Sequence, residues 1–104
     1  MYANLVLFRN ELKNKKVSKY KLIGIITELI FSKEIFKKNS EISGFSESIL
    51  GIVLKDYILK SRTMVVAHVS KKIVSMEQFE SKDELLEFIN KQILIINNKE
   101  NSNK

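Results

Sequence analysis

Residues 40–76, SEISGFSESILGIVLKDYILKSRTMVVAHVSKKIVSM, decide the fold. In their first half Ile42, Phe45, Ile49, Ile52 and Val53 recur at three- and four-residue steps, the spacing of one helical face, and Leu50, Leu54 and Ile58 widen that stripe. In the second half Val66, Val69, Ile73 and Met76 repeat the steps after a polar break at Lys60-Ser61-Arg62-Thr63. Helices with so much apolar surface are marginal alone and must lie against partners. The spacing therefore predicts a helical hairpin at the centre of the molecule.

Outward toward the N-terminus, Ser18 is placed to cap a helix running to Phe31, with Leu22, Ile25, Ile26, Leu29 and Ile30 as its apolar stripe. Gly24 inside it costs roughly 1 kcal/mol relative to Ala, which predicts a close helix–helix approach there. Gly44 and Gly51 stand seven residues apart and either admit a neighbouring helix or are simply tolerated. Ile35 and Phe36 form an apolar plug, and residues 37–39 end the unit. Before all of this, Leu5, Phe8 and Leu12 share one face of a short helix over residues 3–13, although Val6 and Leu7 leave a brief strand over residues 5–8 open. Residues 14–17 are a lysine-rich turn.

Toward the C-terminus, Ser81-Lys82-Asp83-Glu84 has the pattern of a capping box, and its acids suit the positive end of a helix dipole. The helix that follows buries Leu85, Ile89, Ile93 and Ile96, with Leu86 and Phe88 beside them. Residues 97–104 have almost no apolar content and are expected to be a disordered tail. The expectation is one all-α domain: an antiparallel four-helix bundle over residues 18–96, an additional N-terminal helical segment over 1–17, and the tail.

A chain of 104 residues fits one domain that buries roughly 65% of its unfolded surface. The absence of Cys excludes disulfides, thiolate metal sites and Cys nucleophiles, and a single His makes a zinc site improbable. The longest apolar runs, residues 5–8, 22–26 and 49–54, fall far short of the about 20 residues of a membrane span. Arg9, Glu11 and Lys13 interrupt any secretory leader, so the expected compartment is the cytoplasm. Charge is lopsided: residues 1–38 hold nine Lys or Arg against three Glu, and residues 39–104 hold nine of each sign. The whole excess of +6 is N-terminal, where it either meets phosphates, an anionic membrane surface or an acidic partner, or is a solvated face.

Catalytic patterns are missing. His68, the only histidine, sits in an apolar helix with no nucleophile or orienting carboxylate named by motif, and reads as structural or half-exposed. No serine lies in a G-x-S-x-G elbow, and none of the three glycines opens a phosphate loop. The carboxylates Glu77, Glu80, Asp83, Glu84 and Glu87 surround a helix start, which accounts for them. Neither an enzyme nor a cofactor is expected. Nucleic-acid binding is the alternative: the step from Leu59 into Arg62-Thr63 imitates a helix-turn-helix, with Lys60, Arg62, Lys71 and Lys72 on phosphates, as in a small DNA-binding or plasmid-maintenance protein. Against it, the recognition helix would open with Met64, Val65, Val66 and Ala67, where base-reading polar side chains belong.

Several stretches carry a resemblance: Ile25-Ile26-Thr27-Glu28-Leu29, the Lys-rich link at 37–40, Leu-Lys-Ser-Arg-Thr-Met at 59–64, the polar loop at 77–80 and Leu85-Leu86. In this order, from Ile25 to Ile89, they resemble the immunity proteins that lactic acid bacteria and related Gram-positives make against their own pore-forming, chiefly pediocin-like, bacteriocins. The resemblance implies a cytoplasmic, partly membrane-associated antiparallel four-helix bundle without catalytic residues, and the chain is expected to be a monomer. It further implies recognition of bacteriocin-occupied membrane subunits of the mannose phosphotransferase permease and a block of the pore from inside. Specificity in that family follows the C-terminal half, here residues 62–104, and the partner-binding candidates are Gln78, Glu80, Lys91, Asn97, Asn98 and Lys99.

Overall fold

A computed structural model describes residues 1–102. Among these the regular structure is helical and no strand occurs: α1 (Tyr2–Leu12), α2 (Lys19–Phe31), α3 (Asn39–Phe45), a π-helical turn (Ser46–Leu50), α4 (Asp56–Leu59), α5 (Arg62–Ser75) and α6 (Lys82–Ser102). No helix is long and apolar enough to cross a membrane among the described residues.

Local chemistry sets the helix starts. The Ser18 hydroxyl accepts from the Lys21 amide (3.2 Å) at the head of α2, and the Ser61 hydroxyl accepts from the Met64 amide (3.3 Å) at the head of α5. At α3 the Glu41 carboxylate reaches back to the Lys38 amide (3.1 Å), half of a capping box, because a lysine side chain cannot accept in return. α6 begins where the Ser81 carbonyl accepts from the Leu85 amide (3.0 Å).

The long helices pack in antiparallel pairs, α1 along α6 and α2 along α5. Lys82 at the start of α6 donates to the Asn14 carbonyl just beyond α1 (2.9 Å). Lys19 at the start of α2 donates to the carbonyls of Val74 (3.3 Å) and Met76 at the end of α5, where cations offset the negative end of the helix dipole. Leu22, Ile25, Ile26, Leu29 and Ile30 are all buried, as α2's spacing predicts, and so are Leu85, Ile89 and Ile93 of α6. On α5 the buried line is Val65, Val69 and Ile73; Val66 is half-exposed. The N-terminal segment contributes the fully buried Leu5 and Leu12, so it belongs to the core. The shortest dimension, 19 Å, is about two helix layers at an interaxial distance of 8–10 Å.

The central hairpin is the main correction. Its first arm is no single helix: α3 widens into the π-turn, Gly51 turns left-handed (φ 71°, ψ 22°), residues 52–55 run without helix, and α4 is one turn of four residues. Ser46, wholly buried, locks the break: its hydroxyl donates to the Ile52 carbonyl (2.6 Å) and its carbonyl accepts from the Ile52 amide (3.0 Å). Beyond it burial alternates, with Ile52 and Leu54 in and Val53 and Lys55 out, the period of an extended chain. Ile42, Phe45, Leu50 and Ile58 still reach the core. Phe45 meets Phe36 and Phe88 at ring-centroid distances of 5.2 and 4.7 Å, which ties α3 and the 32–38 loop to α6.

Two further expectations change. A Cβ at Gly24 or Gly44 would meet no atom within 4 Å, so no helix approaches closely there. Where a structureless tail was expected from Asn97, α6 continues to Ser102; Asn103 and Lys104 lie outside the described residues.

Candidate functional site

Arg62, the first residue of α5, makes more hydrogen bonds than any other side chain among the described residues. Its Nη1 donates to the carbonyls of Ile30 (2.8 Å) and Ser32 (3.3 Å), its Nη2 to the carbonyl of Phe36, and its Nε to Asn39 Oδ1 (2.9 Å). Asn39 completes the circuit by donating from Nδ2 to the Leu59 carbonyl (2.8 Å). The carbonyls at the end of a helix have no intrahelical partner, and a planar guanidinium with five donors is suited to gathering several of them. Arg62 therefore staples the end of α2, the 32–38 loop and the start of α3 to the start of α5. It has little left to offer a phosphate.

The residues proposed from sequence as partner-binding fall into two places. Gln78 and Glu80 are exposed in the loop between α5 and α6, and Gln78 borders a hollow of about 440 Å³ with Lys15, Lys16 and Phe79. Lys91, Asn97, Asn98 and Lys99 lie on α6. Lys91 pairs with Glu87 one turn earlier (3.6 Å). At 100° per residue Glu87, Lys91, Leu94, Ile95 and Asn98 share the face opposite Leu85 and Ile89. Leu94 and Ile95 are 61% and 55% exposed on it, so Lys91 and Asn98 flank an uncovered aliphatic pair. Asn97 is half-buried at its side, and Lys99 is exposed elsewhere on the helix.

A second concave surface brings together Lys71 and Lys72, which sequence reasoning names for phosphates, with residues it does not. Where the extended residues 52–55 and α4 lie against α5, a hollow of about 450 Å³ is walled by Ile52, Val53 and Tyr57 and rimmed by Lys55, His68 and Lys72. An adjoining hollow of about 310 Å³ shares His68 and Lys72 and adds Lys71 and Ser75. No carboxylate lines either one. The signal that could have found this surface is the alternation at residues 52–55, which turns Val53 and Lys55 outward together.

The surroundings of His68 supply no nucleophile–base–carboxylate relay, and no group of three or more His, Asp or Glu side chains able to hold a metal ion occurs among the described residues. Two surfaces stand out: an aliphatic face on α6 and a cationic hollow beside α5. Comparison of the chain with protein-family models, with curated proteins and with solved structures gives no match.

Proposed function

We propose that the protein is a bacteriocin immunity protein working by contact: a cytoplasmic antiparallel four-helix bundle that recognises the bacteriocin-occupied membrane subunits of the mannose phosphotransferase permease and blocks the pore from inside. In this reading α1, expected as an extension outside an 18–96 bundle, takes the place of the broken 40–59 segment as the fourth rod beside α2, α5 and α6, with α3 and α4 packed at the side. The observation that carries it is the outer face of α6, where Leu94 and Ile95 stand 61% and 55% exposed between Lys91 and Asn98. An aliphatic centre with a polar border is the anatomy of a protein-binding patch. The face lies in the C-terminal half, the part to which the resemblance assigns specificity.

The N-terminal excess of charge supports approach to the anionic inner leaflet. Lys13, Lys15, Lys16, Lys33, Lys37 and Lys38 are all exposed, and attraction near such a surface is about 1 kcal/mol per Lys or Arg. Added salt weakens that association. Expression in a sensitive strain, followed by challenge with pediocin-like bacteriocins, tests the reading: a gain in survival against the cognate peptide is expected, and no gain against any of them removes it. The DNA-binding alternative loses ground to two observations. The donors of Arg62 are spent inside the protein, and the helix before the turn is only four residues long. Mobility shift on random duplex at low salt decides it, since a real binder loses affinity steeply as salt is added.

A further inference from the structure

Among the described residues some lysines are held by partners and others are not, the exposed Lys13, Lys15, Lys16, Lys33, Lys37, Lys38 and Lys60 among the latter. Lys19 and Lys82 are spent on backbone carbonyls at helix ends, and Lys21 and Lys91 on the carboxylates of Glu11 and Glu87. Lys55, Lys71 and Lys72 have neither kind of partner among the described residues, and nor has His68. These four come together on the two adjoining hollows beside α5, which share His68 and Lys72. Gathering cations without a compensating acid raises the local positive potential, and a concave low-dielectric wall focuses it. The wall here is apolar: Ile52 is buried at its base, while Val53 and Tyr57 are 69% and 57% exposed. Exposed aliphatic and aromatic surface beside unpaired ammonium groups is the complement of a molecule with an apolar body and an anionic head. The volume of about 450 Å³ falls within the roughly 300–1,000 Å³ typical of small-molecule sites.

We propose that this groove is a binding site for a small organic anion, an aromatic or short aliphatic group carrying a phosphate or carboxylate. The apolar body lies against Ile52, Val53 and the Tyr57 ring. The anionic head is held by Lys55 and Lys72, with an N–H of the His68 imidazole as a third donor. The site is separate from the outer face of α6 and stands whether or not the immunity reading does.

The test is a titration of the full-length protein followed by amide chemical shifts, with phenyl phosphate as the probe, inorganic phosphate and phenol as its two halves, and phosphatidylglycerol vesicles as the lipid source of the same chemistry. Phenyl phosphate is expected to shift amides in residues 51–58 and 68–76 saturably, at concentrations at least about tenfold below those needed for either half. The Lys55→Glu/Lys72→Glu variant, altered only at exposed positions, is expected to keep the wild-type circular dichroism and to lose at least about tenfold in affinity. Equal affinity for inorganic phosphate or for phenol, undiminished binding by the variant, or no saturable shift would each overturn the proposal. So would shifts in these segments with vesicles but not with phenyl phosphate, which would make the occupant a membrane surface.

Discussion

Replacing Arg62 is the sharpest perturbation of the fold. The side chain donates to the carbonyls of Ile30, Ser32 and Phe36 and to Asn39 Oδ1, and it is half-buried where it does so. Hydrogen bonds from a charged donor contribute about 1.5–3 kcal/mol each, but they are not additive, and water can reach some of these acceptors once the guanidinium is gone. Arg62→Ala is therefore expected to cost about 2–4 kcal/mol, which at about 4–8 °C per kcal/mol for a domain near this size lowers Tm by roughly 10–30 °C. Arg62→Lys keeps the charge but not the planar fork, and should recover only part of the loss, leaving about 1–2 kcal/mol. Asn39 shares the network, so the Arg62→Ala/Asn39→Ala double variant should lose about 1 kcal/mol less than the sum of the single losses. Urea unfolding followed by circular dichroism measures the wild type, both Arg62 variants, Asn39→Ala and the double variant. A loss below about 0.5 kcal/mol for Arg62→Ala, or additive losses in the double variant, would refute the reasoning.

The glycines separate two kinds of constraint. Gly24→Ala meets no neighbour in a helix interior and is expected to stabilise by up to about 1 kcal/mol, whereas Gly51→Ala, equally free of neighbours but held at φ 71°, is expected to destabilise by about 1–2 kcal/mol. Thermal melts that rank these two the other way would show that the 46–52 break is misplaced. Ser46→Ala removes the buried hydroxyl from the Ile52 carbonyl and should cost about 1–2 kcal/mol, with faster amide exchange at Ile52 as the local signature.

The two flanking helices were legible because a single constraint governs each. In α2 five apolar residues at helical spacing follow a serine that caps, and no competing pattern intervenes. α6 reads the same way from Leu85 to Ile93. Residues 49–55 satisfy two periods at once: Ile42, Phe45, Ile49 and Ile52 continue a helical stripe, while Ile52 to Lys55 alternate as an extended chain does. Gly51, free to turn left-handed, tips the balance toward the break. The Arg62 junction left no trace in sequence, because three of its acceptors are backbone carbonyls, which every residue possesses; only the tertiary placement of residues 30, 32 and 36 selects them. The cationic groove was hidden for a related reason, since it forms only when residues 52–55 leave the helix and, with α4, lie against α5. Of the proposed contact residues, Lys91 and Asn98 fall beside the exposed pair on α6, whereas Gln78 and Glu80 lie in the loop before that helix.

The claim that the outer face of α6 seizes an occupied receptor is tested most directly by co-purification of the protein with mannose permease subunits from sensitive cells, with and without a pediocin-like bacteriocin. Wild-type protein should be retained only when the bacteriocin is present. A Leu94→Glu/Ile95→Glu variant, changed at two exposed positions and still helical by circular dichroism, should not be retained. Equal retention of both proteins, or retention of neither under any pediocin-like peptide, would contradict the account.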